Sequence, residues 1–237
     1  MYELPLTGAE SSAPAPQGKG SAESLPETLL VGNVLWFIRL RWVAITLLMA
    51  FGVLSLLVPE AFPSLGLRAS PSWPFVAAAI LFLANLGFLL HARRLLGQSA
   101  RRGAGFNLWS QILIDLPALT MVVHFLGSLE THAPFMYLAH VVLACIFFSR
   151  GQSLTVAIVA GGLYAACVGL EILGVIPVAG IYSDTTLRQV AAAHPTFPWL
   201  TVLSALGIFF MVWYLASHLS GMVRGRDLDL AEANRRL

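Results

Sequence analysis

The chain has 237 residues, of which 57% are hydrophobic and 11% are charged, and its mean hydropathy is +0.78. A chain this apolar cannot cover itself with polar surface in water, so its composition excludes an ordinary soluble protein and predicts an all-α, polytopic membrane helix bundle. The formal net charge is only +2 and the basic residues lie between apolar blocks, so nucleic acid is not an expected partner.

The first 32 residues are rich in Ser, Pro and Gly, and Lys19 is their only basic residue. Such a segment cannot bury enough apolar surface to fold alone, so residues 1–32 are predicted to form a disordered cytoplasmic tail. The first long apolar block is not directly preceded by a basic start, so no cleavable signal peptide is expected.

Six apolar blocks follow the tail, and most approach the 20 or so residues that a helix needs to cross a bilayer. They predict a six-span domain of residues 33–223, with spans at residues 38–58, 74–91, 107–126, 134–149, 153–176 and 198–221. The fourth block is the shortest, and a re-entrant segment there would leave five crossings.

Basic residues near the ends of spans predict the orientation, because they are retained on the cytoplasmic side. With six spans and both termini in the cytoplasm, 12 of the 14 Lys and Arg residues lie inside and 2 lie outside. This asymmetry favours six spans over five. The inside residues are Lys19, Arg39, Arg41, Arg93, Arg94, Arg101, Arg102, Arg150, Arg224, Arg226, Arg235 and Arg236, and the outside residues are Arg68 and Arg188.

One acidic residue, Asp115, falls inside the third block, two residues before Pro117. Proline has no backbone N–H to donate and so loosens a helix, and an ionisable residue in a span usually faces the bundle interior or marks a function. Two interpretations stay open. Asp115 and Pro117 form a polar switch that senses a proton or a ligand, or the carboxyl is simply hydrogen-bonded to Gln111 or to a neighbouring span.

Three histidines, His124, His132 and His140, occur at intervals of eight, with Glu130 between the first two. In a tight hairpin of the third and fourth spans, His124 and His140 would converge with Glu130 or His132 on a metal ion or a quinone headgroup. The alternative is ordinary packing or interfacial hydrogen bonding. No short metal-ligand spacing is present in the sequence, so no metal site is predicted.

The remaining polar and sulfur-containing residues of the spans receive structural interpretations. Cys145 and Cys167, the two cysteines of the chain, are interpreted as small core residues. Glu171 lies late in the fifth block and is interpreted as a residue solvated at the outer interface.

After the sixth block, residues 224–237 turn polar but keep good helix formers and contain no proline. This segment is predicted to start a cytoplasmic coiled-coil linker, because apolar residues recur in steps of four and three; a solvated helical tail is the alternative. The seam positions are Leu219, Val223, Arg226, Leu230, Ala233 and Leu237.

Four segments together suggest a family: Leu40-Arg41-Trp42, Ile114-Asp115-Leu116, the loop from Gly127 to Phe135, and the exit segment from Leu230 to Leu237. Through them, residues 34–237 resemble the six-span sensor region of bacterial sensor histidine kinases, especially the RegB/PrrB-type redox sensors. In that family the loop after the third span carries a Gly-Gly-x-x-Asn-Pro-Phe pattern associated with quinone sensing. Gly127, Pro134 and Phe135 match this pattern, whereas Ser128 and Ala133 depart from it and the loop is two residues longer.

The resemblance makes quinone the candidate ligand, although the sequence establishes no cofactor. The candidate sensing residues are Gly127, Glu130, His132, Pro134, Phe135, His124 and His140.

The resemblance also implies a homodimer in the lipid bilayer of the bacterial inner membrane. It would pass a redox, lipophilic or membrane-state signal to a kinase core and a response regulator of a two-component system. The phosphoaccepting histidine and ATP-binding domain are expected beyond Leu237, so this chain alone is not expected to act as a kinase. Hydrolase and nucleotide-binding motifs are missing from the sequence, and a small transporter or channel-like protein is the alternative.

Overall fold

The structure is a computed structural model that describes residues 27–70, 72–95 and 101–235. The described part is helical and contains no β-strand. The predicted tail lies outside the described residues, except that residues 27–32 belong to the first helix instead. Residues 236–237 of the predicted linker also lie outside the described residues.

The described residues form eight α-helices and one short 3₁₀ helix, Ala133–Met136, which leads directly into the fifth α-helix. Two of the connecting loops meet at an isolated antiparallel bridge between Leu67 and Tyr182. The α-helices are α1 (Glu27–Leu57), α2 (Ala61–Ser64), α3 (Ser72–Leu95), α4 (Arg101–Leu126), α5 (Tyr137–Phe147), α6 (Arg150–Ile172), α7 (Thr186–Ala193) and α8 (Thr196–Arg235).

Five stretches of the described helices are long and apolar enough to cross a membrane: Leu35–Leu57, Ser72–Arg93, Gly105–Leu126, Arg150–Ile172 and Thr196–Arg226. A shorter apolar stretch, Ala133–Phe147, lies where the fourth span was predicted. All six stretches begin within three residues of the predicted starts. The prediction of an all-α protein is therefore confirmed for the described residues, and several of its helices are long and apolar enough to cross a membrane.

The residues at the ends of α4 and α6 explain where these two helices begin or end. Gly127 follows α4 with a φ of 110°, and Gly174 follows α6 with a φ of 69°, both in the left-handed region that glycine adopts without steric cost. Ser149 starts α6 through a capping box with Gln152. Pro117 lies inside α4 without ending it.

Contacts between aromatic residues show that the longer helices, taken in chain order, run in alternating directions. We call the end of the bundle at which α4 and α6 stop the loop end, and the end from which α8 continues the exit end. At the loop end, Trp73 of α3 stacks on Phe125 of α4, with ring centroids 5.4 Å apart. At the exit end, Phe147 of α5 contacts Phe37 of α1 and the adjoining Phe148 stacks on Trp109 of α4.

The core centres on α4, which packs against α1, α3, α5 and α6. Three aromatic side chains from different helices, Tyr137, Tyr164 and Phe209, form a buried group with ring centroids 5.8–6.5 Å apart. On α6, Gly161 lets the helix approach Leu206 of α8 closely, because a Cβ atom there would clash with the leucine. These contacts tie α5, α6 and α8 into one packed unit.

Candidate functional site

A buried ion pair joins three helices inside the bundle. Arg41 of α1 donates from Nε and Nη2 to the two carboxylate oxygens of Asp115 on α4, each at 2.8 Å. Its Nη1 donates to Asn85 Oδ1 of α3 at 3.0 Å, and Asn85 Nδ2 donates to the carbonyl of Ile38 at 3.2 Å. Only 3% of the Arg41 side chain and 14% of the Asp115 side chain are exposed. A bidentate pair this well buried restrains the packing of α1, α3 and α4.

This ion pair shows which group the Asp115 carboxyl is bonded to. The carboxyl is bonded to a neighbouring helix, while Gln111 instead donates to Asn107 at 2.7 Å. The side chain of Arg41, which was predicted to lie in the cytoplasmic set of basic residues, is buried in the bundle. The available signal was its position inside the predicted first span of residues 38–58.

A cavity of about 350 Å³ lies beside the ion pair, between α1, α4 and α5. Its walls are largely apolar, with Leu47, Phe51 and Leu119 among them, and Asp115 and Arg41 contribute charge at one side. This size falls at the lower end of the range for small-molecule sites. The cavity therefore suits a small lipophilic molecule that carries a polar group.

Two polar atoms at the cavity have no hydrogen-bond partner among the described residues. They are the indole Nε1 of Trp73 and the imidazole Nδ1 of His140, and both are buried. An indole N–H can only donate, whereas an imidazole nitrogen donates or accepts according to its tautomer. Buried polar groups are normally paired, so these two atoms lack the partner that such groups usually have.

Helix α5 separates this cavity from α8. One face of α5 contacts α8: the Tyr137 ring lies 5.8 Å from Phe209, and Cys145 Sγ lies 3.8 Å from the carbonyl of Trp213. The other face lines the cavity with residues at helical spacing, Met136, Ala139, His140 and Leu143.

The end of α5 is also held directly by α8. Arg224 Nη2 donates to the carbonyl oxygens of Cys145 at 2.7 Å and Phe148 at 3.0 Å. The last carbonyls of a helix lack partners within the helix, so the guanidinium acts as a C-terminal cap. A movement of α5 would therefore displace α8 near the point where α8 leaves the bundle.

A second polar cluster is buried at the loop end. Glu171 of α6 accepts hydrogen bonds from Ser128 Oγ at 2.5 Å and pairs with His124 Nδ1 at 2.6 Å. Cys167 Sγ lies 3.9 Å from the same carboxylate, and Tyr164 donates to the Ser128 carbonyl at 3.1 Å. Glu171 is buried, so its interpretation as a solvated interfacial residue is wrong.

The loop after α4 is fastened to α7 by an ion pair between Glu130 and Arg188. These hydrogen bonds raise the pKa of the Arg188 guanidinium. Glu130, Arg188, Ser128 and Glu171 line a second cavity of about 350 Å³ at the loop end. This cavity lies between α6, α7 and the loop after α4.

The other loop residues that were predicted to sense a ligand occupy positions that shape the loop itself. His132 and Phe135 stack with ring centroids 6.2 Å apart, and both are exposed. Pro134 is buried at the start of the 3₁₀ helix, and Gly127 forms the turn after α4.

The structure does not bring the predicted sensing residues to one point. His140 lines the first cavity, and Glu130 pairs with Arg188. His124 instead lies beside Cys167 and Glu171, and these three side chains could together hold a metal ion. Sequence reasoning missed the last two as site residues. Their spacing of four residues on one helix was the available signal.

Comparisons of the chain with protein-family models, with curated proteins and with solved structures give no match.

Proposed function

We propose that this chain is the membrane sensor and dimerisation module of a two-component histidine kinase, with a cavity for a lipophilic ligand as its input and α8 as its output. The observation that carries the proposal is that α8 is one uninterrupted helix from Thr196 to Arg235. Its stretch Thr196–Arg226 is apolar enough to cross a membrane, and the residues after it are polar. A helix that continues out of a bilayer transmits a shift, rotation or tilt to whatever is attached to it.

The proposed topology has six crossings, with α5 and its 3₁₀ turn as the fourth. The segment Ala133–Phe147 is about 24 Å long at the usual rises of 3₁₀ and α-helices. This is shorter than a typical hydrocarbon core of about 30 Å. Its two ends nevertheless lie at opposite ends of the bundle, since it begins beside the end of α4 and Phe147 reaches Phe37. A short crossing shielded by neighbouring helices fits these contacts.

The proposed orientation has the exit end in the cytoplasm. Arg93, Arg150 and Arg224 lie at this end, whereas Arg68, in a loop, and Arg188, in α7, lie at the other. Removing the buried Arg41 from the count changes the asymmetry from 12 against 2 to 11 against 2, so the positive-inside rule still supports this orientation.

A quinone is the proposed ligand of the first cavity. It combines an apolar ring with two carbonyl oxygens, and the cavity combines apolar walls with the unpaired polar atoms of Trp73 and His140. Trp73 would donate to one carbonyl, and His140 in its Nδ1–H tautomer would donate to another acceptor of the ligand.

The proposed coupling runs through α5. A ligand that presses on Ala139 and Leu143 would displace the helix whose other face holds Phe209 and whose end holds Arg224. The signal is then a change in the position of α8, biasing a dimeric coiled coil between two states.

Quinone binding is tested on the chain in lipid nanodiscs, with a short-chain quinone as titrant. Ala139→Phe would fill the cavity and weaken binding by at least about tenfold, a loss of about 1.4 kcal/mol. Ala79→Phe is the matched control, because Ala79 is also an exposed helical alanine but does not line the cavity. Equal affinities of the two variants would refute the cavity as the site.

The output role is tested by disulfide cross-linking of α8 in membranes. Leu219→Cys and Val223→Cys, at exposed positions of the proposed seam, should cross-link two copies, whereas Gly221→Cys, on the opposite face, should not. Fusion of Leu237 to a histidine-kinase core should then make autophosphorylation depend on the quinone. A chain that stays monomeric and carries ions or solutes across proteoliposomes would overturn the sensor proposal and favour a transporter.

A further inference from the structure

We propose that His124, Cys167 and Glu171 form a binding site for a divalent transition-metal ion of the Zn²⁺ type at the loop end of the bundle. This inference goes beyond the proposed function, because the site is separate from the cavity between α1, α4 and α5. The three side chains offer imidazole nitrogen, thiolate sulfur and carboxylate oxygen, a donor set that suits zinc.

The spacing of the donor atoms is close to what a metal requires. All three lie within 4.8 Å of one another. Zn²⁺ binds nitrogen and oxygen at about 2.0 Å and sulfur at about 2.3 Å, so ligand atoms around a tetrahedral ion lie about 3.3–3.5 Å apart. His124 Nδ1 and Glu171 Oε1 are 2.6 Å apart, and Cys167 Sγ is 3.9 Å from Glu171 Oε1. Side-chain rotations that move each donor atom by less than about 1 Å would bring the three atoms to these distances.

The fold supplies this arrangement from two helices. Cys167 and Glu171 stand one turn apart on the same face of α6, and His124 lies in the last turn of α4, which packs against that face. Ser128 donates to the carboxylate oxygen of Glu171 that does not contact His124. Ser128 thereby orients a ligand in the way that outer hydrogen bonds orient ligands in known metal sites.

The charges balance when a divalent ion binds. A thiolate and a carboxylate together carry two negative charges, and a neutral imidazole adds none, so the occupied site is electrically neutral inside the bundle. The thiol proton leaves as the metal binds, so the affinity should fall as the pH falls.

A route to the site exists from the loop end. The second cavity is lined by Ser128 and Glu171 of the cluster and also by Glu130 and Arg188. Arg188 is neutralised by its pairing with Glu130, so the entrance does not repel a cation through an unpaired guanidinium.

The test uses the full chain, reduced, treated with a chelator and embedded in nanodiscs, with Co²⁺ as a spectroscopic probe. One Co²⁺ ion should bind per chain and produce a thiolate-to-cobalt charge-transfer band in the near ultraviolet, which Zn²⁺ should abolish by displacement. The decisive variant is Cys145→Ser, because Cys167 is then the only thiol in the chain. Cys145 contacts the Trp213 carbonyl and is not part of the cluster, so this variant should keep the band at full intensity.

Further variants assign the ligands. Cys167→Ser should lose the band. His124→Gln and Glu171→Gln should each weaken Zn²⁺ binding by at least about tenfold, and Ser128→Ala should weaken it by about tenfold relative to the unsubstituted chain. Folded Cys145→Ser protein that shows no charge-transfer band, or a band that survives Cys167→Ser, would overturn the proposal. Quinone binding by these variants should be unchanged, so failure of the metal site and failure of the sensor proposal are separable.

Discussion

Replacing Asp115 by asparagine tests whether the bundle depends on its internal ion pair. The substitution preserves the shape of the side chain and removes its negative charge. Arg41, with 3% of its side chain exposed, would then lose its only charged partner among the described residues and one of its two bonds to residue 115, while it keeps the hydrogen bond to Asn85 and the contact with the Phe88 ring at 5.0 Å. Breaking a buried pair by removing one partner costs about 3–5 kcal/mol, because the remaining charge is left uncompensated.

The assay is reversible unfolding of the chain in mixed micelles, followed by helical circular dichroism as the denaturing detergent increases. Asp115→Asn should lower the free energy of unfolding by about 3–5 kcal/mol. The double variant Arg41→Met and Asp115→Leu should recover most of this loss, because a well-packed apolar pair avoids the desolvation of two charges.

A matched control is Asp184→Asn, which removes a carboxylate that lies in an exposed loop and, among the described residues, accepts hydrogen bonds from Thr186 alone. It should leave the global free energy of unfolding unchanged, because surface substitutions away from buried networks have little effect. The reasoning is refuted if Asp115→Asn has an equally small effect, or if the double variant is less stable than either single variant.

Three further predictions concern the ends of helices. Arg224→Gln should lower stability by about 1–3 kcal/mol, because the carbonyls of Cys145 and Phe148 lose a charged donor; unchanged unfolding, measured as for Asp115, would contradict the capping role. Gly127→Ala should cost about 1–3 kcal/mol, because alanine is strained at a φ of 110°; Gly221→Ala, in a helix, should instead be neutral or stabilising. Hydrogen bonds from Thr186 lower the pKa of the Asp184 carboxyl. The amides of α7 should therefore be most protected from hydrogen exchange above the ordinary pKa of 3.8, and this protection should be lost as the pH falls through the lowered pKa. Protection that stays constant over this pH range, after correction for intrinsic exchange rates, would show that the Asp184 carboxylate does not stabilise α7.

The apolar helices were predictable from the sequence because their signal is local. A crossing helix needs about 20 apolar residues regardless of its partners, so hydropathy located five long helices and the short one at Ala133–Phe147. Polar residues within the spans were also visible, but their partners were not.

Only the tertiary structure decided which polar residues meet. Arg41 and Asp115 are 74 residues apart and His124 and Glu171 are 47 apart, so no local pattern links the members of either pair. Equal spacing suggested that His124 and His140 share a ligand, yet the packing of α4 and α5 turns one toward α6 and the other toward the α1 cavity. Hydrophobicity determines that a helix enters the bilayer, whereas the rotation of each helix about its axis depends on packing against all its neighbours, and that rotation assigns each buried polar group its partner.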